Sequence, residues 1–405
     1  MSTNILTSIY PFCRLVVEET VIDHNFKLGK KALHVKLRPD ERYTPICHKC
    51  ETEAESIHSW HRRNLRDLPV GKLPTIVTLD YRKIKCPECD SYRVEKLDIK
   101  TPGGPAVTDR MAQKIFSFCK KTNALKTAEE YNLDWKTVKT IDKRFLEERY
   151  GAIDYEHSGF LMIDEVTFGK FHEYLTVVAD FVTSRVLWVG QGRKFSTLDK
   201  FFSGMPEEIK QNIKAVAMDM WDPYIKAANK HCPQADIVHD KFHIIAKYSN
   251  VIDEVRRTEQ NEKEEHKDLI KGSRWLLLKN RENLSDEQKN NLDELLELNE
   301  NLNKACILKD VLKEIFNRKS SSNIKERIQN FFQLAKEASL DPLNKFISTL
   351  KNYMDGIVTY SKYPIHTSKL EGINNKIKEI KRSAFGYHDI RYYELKIKQA
   401  FPGNT

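Results

Sequence analysis

The spacing of hydrophobic positions changes several times along this chain, and each change marks a boundary. Up to about residue 100 apolar and polar residues alternate, as in "ALHVKLRP" (32–39) and "TIVTLDYRKIKC" (75–86). A period of two predicts half-buried strands. The stretch "IKTPGGPAVT" (99–108), broken by proline and glycine, reads as a linker. From Asp109 to about Tyr150 the period becomes helical. From Phe160 to His243 strands and helices alternate. "FLMID", "YLTVVADF" and "RVLWVGQG" precede a helical "STLDKFFSGM"; "KAVAMDM", a helical "PYIKAANKH" and "ADIVHD" follow. From about Ile244 to Tyr353 the pattern is almost wholly helical, and a last helix after "SKYPIHTSK" carries "LEGINNKIKEIKR". No internal repeat or low-complexity tract interrupts this order.

Composition narrows the picture a little. Lys and Arg number 67 against 58 Asp and Glu, a formal net charge of +9 over 405 residues. That modest excess fits nucleic-acid binding without demanding it. The first residues lack a basic segment followed by a long apolar one, and no apolar run approaches the ~18 residues of a membrane span. The expectation is an intracellular protein, cytoplasmic and without a membrane partner. Eight cysteines are few for this length, and four of them sit as two close pairs. In a reducing compartment such pairs suggest metal rather than disulfides.

Those pairs are Cys47 and Cys50 in "CHKC", and Cys86 and Cys89 in "CPEC". A C-x-x-C spacing lets two thiolates grip one tetrahedral zinc, and two such knuckles close a structural site. The 35 residues between the knuckles exceed the common spacing but are strand-like, consistent with a zinc ribbon with a hairpin between its knuckles. The competing reading has His48, His58 or His61 replacing one pair. Cys13, Cys119, Cys232 and Cys306 lack such partners and read as small buried hydrophobes. "WHRRNLRDLP" (60–69) sets three arginines and a histidine beside a tryptophan, suited either to phosphate contact or to a solvated loop.

The segment "ALKTAEEYNLDWKTVKTI" (124–141) has the look of a helix-turn-helix. A short helix leads to a turn around Asn132 to Asp134, and Asp134 can cap a second helix opening at Trp135. The face of that helix with Trp135, Lys136, Lys139 and Lys143 suits phosphates and a groove. An ordinary helical hairpin is the alternative.

The acids carry the chemistry. Strand "FLMID" ends at Asp164 and strand "KAVAMD" at Asp219, so each acid stands where an apolar strand leaves a sheet. In a ribonuclease-H-like sheet the first and fourth strands are neighbours, and these acids would face each other. Two like charges that close raise a pKa unless a divalent cation lies between them. Magnesium accepts few carboxylates and leaves room for water and phosphate, and two such ions clamp both oxygens of an in-line phosphodiester displacement. Glu371 is the candidate third acid, opening a helix that continues with Lys376, Lys378, Lys381 and Arg382, placed for a nucleic-acid backbone. Each acid has rivals. Glu165 points to the opposite face from Asp164 if the strand continues. Asp222, before Pro223, is a natural helix cap. Asp180 reads as a turn residue, and Glu379 as a solvated helix acid. Asp240 and His243 in "HDKFH" either lie near the metals or order a strand-to-helix turn. Trp188 and Trp221 read as core, while Arg193 and Lys194 are candidate phosphate contacts.

In this order the segments resemble transposases of the bacterial insertion-sequence family called ISL-three. The resemblance runs through "CHKC…RNLRDLP…RKIKCPEC", "TAEEYNLDWKTV", "IDEVTFGKFHEYLTVVADFVTSRVLWVGQGR", "AVAMDMWDPYIKAANKHCPQADIVHDKFHI" and "EGINNKIKEIKRSAFGYHDIRYYELKI". It covers nearly the whole chain. It implies a D-D-E catalytic core of ribonuclease-H-like fold, with Asp164, Asp219 and Glu371 as the metal-binding triad. It also implies that a zinc-binding domain and a helix-turn-helix recognise terminal inverted repeats. One departure stands out: the family pattern T-N-x-x-E-G has an Asn where "TSKLEG" places Ser368, which puts that neighbour's contact in doubt and leaves the triad.

The expected architecture is therefore a β-rich zinc-binding domain at 1–100 and a helix-turn-helix at 105–150. An α/β catalytic core at 158–243 and 360–400 follows, split by an all-α insertion at 244–359. The expected activity is metal-dependent cleavage and strand transfer at element ends, with two Mg2+ or Mn2+ ions and a structural Zn2+. The expected partners are double-stranded DNA, both terminal repeats and target, and further copies of the chain assembled as a dimer or larger. The alternatives are a nuclease with the same core and no strand transfer, or a DNA-binding regulator that has lost catalysis.

Overall fold

A computed structural model of the chain describes residues 12–25, 28–54, 56–99, 104–168, 173–262, 270–317, 323–365 and 367–403. Residues 100–103 of the expected linker and 169–172 of "TFGKFHEY" lie outside the described residues. The chain divides into two compact units, Met1–Ala152 with Ser383–Gly386, and Ile153–Arg382 with Tyr387–Thr405.

In the first unit the alternating segments form one sheet. Its strands are β1 (Leu15–Asn25), β2 (Lys30–Pro39), β3 (Ile57–Val70), β4 (Leu73–Cys86) and β5 (Ser91–Val94), in the order β1-β2-β4-β3 with β5 against β4. Alternation buries Leu33, Val35 and Leu37 of β2 against Leu65 of β3 and Val77 and Leu79 of β4. The segment "WHRRNLRDLP" is not a loop but most of β3. Arg62 pairs with Asp80 at 2.6 Å across the β3–β4 hairpin. Arg66 donates to the carbonyls of Tyr131 and Asn132 at 3.2 and 3.3 Å. Burial lowers the Arg66 pKa.

The described residues of this unit also form α1 (Asp109–Cys119), α2 (Ala124–Tyr131) and α3 (Trp135–Tyr150). Their buried side chains include Ile115, Phe116, Val138, Ile141 and Phe145, and the Phe116 and Phe145 rings stack at 5.1 Å. The turn predicted at Asn132 is real. Asn132 adopts a left-handed conformation (φ 49°) that ends α2, and Asp134 caps α3 by accepting from the amides of Lys136 and Thr137. Buried Asp67 of β3 accepts from Thr108 Oγ1 at 2.6 Å and from Arg110, tying α1 to the sheet.

The second unit is built on a five-stranded sheet of β6 (Phe160–Thr167), β7 (Tyr174–Asp180), β8 (Val186–Gln191), β9 (Ala215–Met218) and β10 (Asp236–His239). The order is β10-β9-β6-β7-β8, with β6, β7 and β8 antiparallel and β9 and β10 running parallel to β6. Both faces are covered, so the strands read as near-continuous apolar runs. On one face Leu161 and Ile163 meet α4 (Phe195–Ser203) and α6 (Asp222–His231); the short α5 (Glu207–Asn212) lies between these in sequence. On the other face Met162 and Val166 meet α14 (Ser368–Ser383) and α15 (Ile390–Ala400).

Between β10 and α14 the described residues form a set of α-helices with their own core: α7 (Lys241–Glu262), α8 (Arg274–Leu278), α9 (Asp286–Leu298), α10 (Glu300–Asn317), α11 (Ile324–Glu337), α12 (Asp341–Asn352) and α13 (Met354–Thr359). Tyr248, Phe331 and Phe346 pack edge to face at its centre. The α13 helix returns onto β10, and there the backbone approaches so closely that a Cβ on Gly356 would stand 2.5 Å from the His239 ring. Asp240 closes the excursion. Its Oδ2 accepts from the Thr367 amide at 2.6 Å and the Thr367 hydroxyl at 2.5 Å, and its Oδ1 accepts from the Phe242 amide at 2.9 Å. One buried carboxylate therefore joins the start of α7 to the start of α14.

Candidate metal centres

The four paired cysteines meet. Their sulfurs all lie within 4.8 Å of one another, with Cys50–Cys86 at 3.3 Å, Cys50–Cys89 at 3.5 Å and Cys47–Cys89 at 4.0 Å. A regular tetrahedron with Zn–S bonds of about 2.3 Å has edges of ~3.8 Å, so the sulfur cage has the size that zinc requires. The two knuckles are built alike. Glu51 follows Cys50 at φ 63° and Asp90 follows Cys89 at φ 41°, each turning the chain back. Amides of Lys49 and Cys89 donate to the sulfurs of Cys47 and Cys86 at 3.4 Å. Without a cation four adjacent sulfurs cannot all ionise. Hydrogen bonds from Thr52 lower the Cys50 thiol to about 6, whereas contact with Cys50 pushes the Cys89 thiol up to about 12.

The histidines considered as rivals stand apart from this cage. His48 Nδ1 contacts the Val94 carbonyl at 2.9 Å, and the ring of His58 packs on Tyr92. Of the remaining cysteines Cys119 and Cys232 are buried and Cys306 half-buried, but Cys13 is exposed, contrary to the expectation of a buried hydrophobe.

The acids assemble differently. In the parallel pair of β6 and β9, Phe160 aligns with Ala215 and Met162 with Ala217. The same 55-residue offset, continued two positions past the last paired residues, brings Asp164 level with Asp219, the residue after β9. Asp164 itself lies inside β6, which runs on to Thr167 rather than ending at the acid as the sequence suggested. Asp164 shares a face with Met162 and Val166, the α14 side; Glu165 shares one with Leu161 and Ile163, as the pleat requires. Burial pushes the Asp164 carboxyl up to about 6, and the charges of Glu165 and Asp219 add to this while His243 opposes it. Glu165 is likewise raised, by burial first and then by Asp219, and is partly offset by Arg193 at 3.4 Å.

Asp219 is met by two side chains of α7: His243 Nδ1 at 3.8 Å and Lys247 Nζ at 3.9 Å from its Oδ2. Glu371 is exposed in the first turn of α14. One turn later Asn374 Nδ2 donates to Asp164 Oδ2 at 2.9 Å. Among the described residues the cysteines form the one set of three or more such ligands drawn within 4.8 Å, so the three acids are not gathered that tightly.

Several sequence candidates find other work. Asp240 is the buried clamp described above. Asp222 does not cap α6; it is the first helical residue and accepts from the Tyr353 hydroxyl at 2.7 Å. Asp180 accepts from the Thr183 amide and hydroxyl at 2.6 Å, a turn residue as expected. Glu379 pairs with Lys376 at 2.9 Å. Lys381 donates to the Phe168 carbonyl, while Lys378 and Arg382 are exposed. Trp135 and Lys136 are exposed at the start of α3, and Lys139 and Lys143 are half-buried along it.

Beside the acids lies a cleft of about 780 Å3 lined by Phe168, Tyr174, Arg193, Lys194, Phe195 and Trp221, among others. The Arg193 guanidinium lies 4.1 Å from the Tyr174 ring centre and 4.8 Å from that of Trp221, whose indole nitrogen donates to the Arg193 carbonyl. Trp221 is thus half-buried and hydrogen-bonded at the cleft, rather than plain core, whereas Trp188 packs on Phe201. Sequence reading overlooked Asn374 and Lys247. An amide inside the buried stripe Leu370–Ile373–Ile377 was the available signal for the first. For the second it was a lysine four residues after His243, on one helical face.

No helix among the described residues is long and apolar enough to cross a membrane. Comparison with known proteins agrees with the architecture. A transposase family model, the DDE domain of ISL3 type, matches residues 161–397. The zinc-finger model of the IS204/IS1001/IS1096/IS1165 transposases matches residues 44–89 and so spans all four cysteines. The chain is 37% identical over 379 residues to the transposase for insertion sequence element IS1001 of Bordetella parapertussis, covering 93% of each chain. It is 23% identical over 406 residues to the transposase for element IS1557 of Mycobacterium tuberculosis, covering 92% of this chain and 89% of that one. With its four-cysteine zinc ribbon, the chain belongs to the ISL3 family of insertion-sequence transposases.

Proposed function

We propose that this chain binds the terminal inverted repeats of an insertion sequence and catalyses strand cleavage and strand transfer there, with Asp164, Asp219 and Glu371 holding divalent cations. The observation that supports the reading is that Asp164, within β6, and Asp219, just after the parallel neighbour β9, lie close enough for the Asp219 charge to raise the Asp164 carboxyl. The sheet order supports a ribonuclease-H-like core, since its first and fourth strands, β6 and β9, are neighbours. The oxygen-only donor set fits magnesium or manganese, and so does a buried carboxyl held up to about 6 beside two further acids. When bound, two such ions supply Lewis acidity and neutralise charge on a phosphodiester.

The chain's own groups do the rest. Asp164 presents its oxygens from within β6 and Asp219 from the end of β9, and Glu371 presents its carboxylate from α14. His243 and Lys247 stand on the Asp219 side, and Arg193 and Lys194 at the cleft rim take phosphates. Trp135, Lys136 and Lys139 engage DNA as part of a helix-turn-helix. Lys376, Lys378 and Arg382 extend the basic surface of α14, whereas Lys381 is engaged with Phe168. In the first step water oxygen bonds to the phosphorus at an element end and the bond to the 3′ oxygen breaks, leaving a free 3′ hydroxyl. In the second that 3′ oxygen bonds to a target phosphorus and the target's own 3′ oxygen leaves as a hydroxyl, the proton of the attacking hydroxyl going to solvent. Two ends must be joined, so copies of the chain assemble on DNA, in the cytoplasm and at the nucleoid.

The test incubates purified protein with its own element ends, target DNA and Mg2+ or Mn2+, and maps broken and joined strands. Cleavage at the element ends followed by joining is expected. Cleavage without joining, even with pre-cleaved ends, would make the chain a nuclease. Binding with no metal-dependent cleavage would make it a regulator.

A further inference from the structure

We infer that Asn374 is a positioning residue of the acid site. Its Nδ2 fixes Asp164, and its Oδ1 accepts a hydrogen bond from a water coordinated to the divalent cation. The inference rests on the proposed reading of Asp164 as a cation ligand.

Asn374 is 7% exposed and lies within the stripe of Leu370, Ile373 and Ile377 that packs α14 on the sheet. An apolar residue would serve packing better at such a place. Its Nδ2 donates to Asp164 Oδ2 at 2.9 Å and approaches the Glu165 carbonyl at 3.4 Å. Both partners are acceptors, so the orientation of the amide is fixed: turned over, its oxygen would face oxygens. That orientation leaves Oδ1 buried with no hydrogen-bond partner among the described residues.

Buried polar atoms without partners are rare, and one at a functional site points to a missing water or ion. Here the donor it lacks must be a small group beside a carboxylate. A water on a cation held by Asp164 meets that description, because coordination makes such a water a strong donor. The placement is also rigid. Asp240 grips the Thr367 amide and hydroxyl immediately before α14, and Tyr393 donates to the Ile377 carbonyl at 2.7 Å one turn beyond Asn374. The helix that carries Glu371 is thus tied to the residue after β10 on one side of the amide and to α15 on the other.

Two measurements on the full chain without DNA test this. Free Mn2+ followed by electron paramagnetic resonance gives the affinity of the unaltered protein and of Asn374→Leu, which keeps the volume and suits the apolar stripe. The variant is expected to melt near the parent temperature and to bind Mn2+ roughly tenfold or more weakly, the range for outer-sphere partners of metal ligands. An unchanged affinity overturns the assignment. If the variant does not fold, a crystal structure of the unaltered chain with Mn2+ decides. Oδ1 within hydrogen-bond distance of a Mn2+-coordinated water upholds the assignment, and Oδ1 engaged elsewhere overturns it alone. An absence of Mn2+ at Asp164 overturns it together with the reading on which it rests.

Discussion

The cysteines of the zinc ribbon come from two hairpin turns, and each turn supplies two ligands three residues apart. The acids come singly from the body of one strand, the end of its neighbour and one helix, spread from residue 164 to residue 371. Four sulfurs already stand within 4.8 Å of one another. The acids hold a looser arrangement in which Asp219 leans on His243 and Lys247, Asp164 on Asn374, and Glu371 faces solvent. A closed, preassembled cage suits a cation that holds a fold together, whereas on the proposed reading the acid site admits water and DNA, which an open arrangement suits.

The sharpest way to break this contrast is Cys86→Ser. A four-thiolate zinc stabilises a small domain by about 10–16 kcal/mol, and β4 and β5 meet at that residue. Bound zinc, measured by mass spectrometry after gel filtration, is expected to fall from one per chain toward zero. The second unit has its own cores, so its melting transition should stay in place. A variant that keeps its zinc would return one of the histidines to contention.

Asp164→Asn comes next. If the acids hold the catalytic cations, cleavage at element ends should fall at least about 10^3-fold, some 4 kcal/mol in barrier. The zinc content should not change. The measurement is strand-resolved gel analysis at fixed Mg2+, beside a gel-shift assay in which repeat binding is expected to persist. Residual cleavage near the parent rate would remove Asp164 from the chemistry.

What the sequence disclosed follows the same division. The knuckles were legible because two ligands per turn and a period of two are local facts. Asp164 and Asp219 were legible as acids at the ends of apolar runs, and their partnership needed only an assumption about strand order. The clamp from Asp240 to Thr367 was not legible. It spans 127 residues, and no local pattern tells a carboxylate that caps a distant helix from one that binds a cation. Asp222 misled because Asp-Pro reads as cap plus first helical residue, whereas the helix begins one residue earlier, at Asp222 itself. Arg66 misled for the opposite reason. Its charge suggested phosphate, but the carbonyls closing α2 claim it.

The helices between β10 and α14 allow the contrast to be sharpened, since they separate the second acid from the third. Asp253 of α7 faces Arg256 at 3.0 Å, Arg257 at 2.8 Å and Arg274 at 3.5 Å. Burial alone would raise its pKa, but the Arg256 hydrogen bond and the three arginine charges bring it below the ordinary carboxylate value. A lowered folded-state pKa means a stabilisation present above the unfolded value near 3.9, lost as pH falls through the folded one. Asp253→Ala should therefore cost roughly 3 kcal/mol at pH 7 and less at pH 2–3, measured as urea midpoints across pH. Equal losses at both pH values would show that the charges are not what matters there.

The smallest expected effect is at the surface of α3. Trp135 is 46% exposed and Lys136 is exposed beside it, with its Nζ 6.0 Å from the indole centre. Neither metal centre involves them, so altering them should leave zinc content and Mn2+ affinity alone. If α3 enters a DNA groove, Lys136→Ala removes one phosphate contact. Binding then weakens by roughly 1 kcal/mol on every sequence, and the slope of log affinity against log salt falls by about 1. Trp135→Ala should leave that slope unchanged, because an uncharged ring releases no counterion. Fluorescence anisotropy at four salt concentrations separates the two. Equal slopes for the parent and Lys136→Ala would place the DNA path away from this helix and leave its exposed tryptophan to another surface.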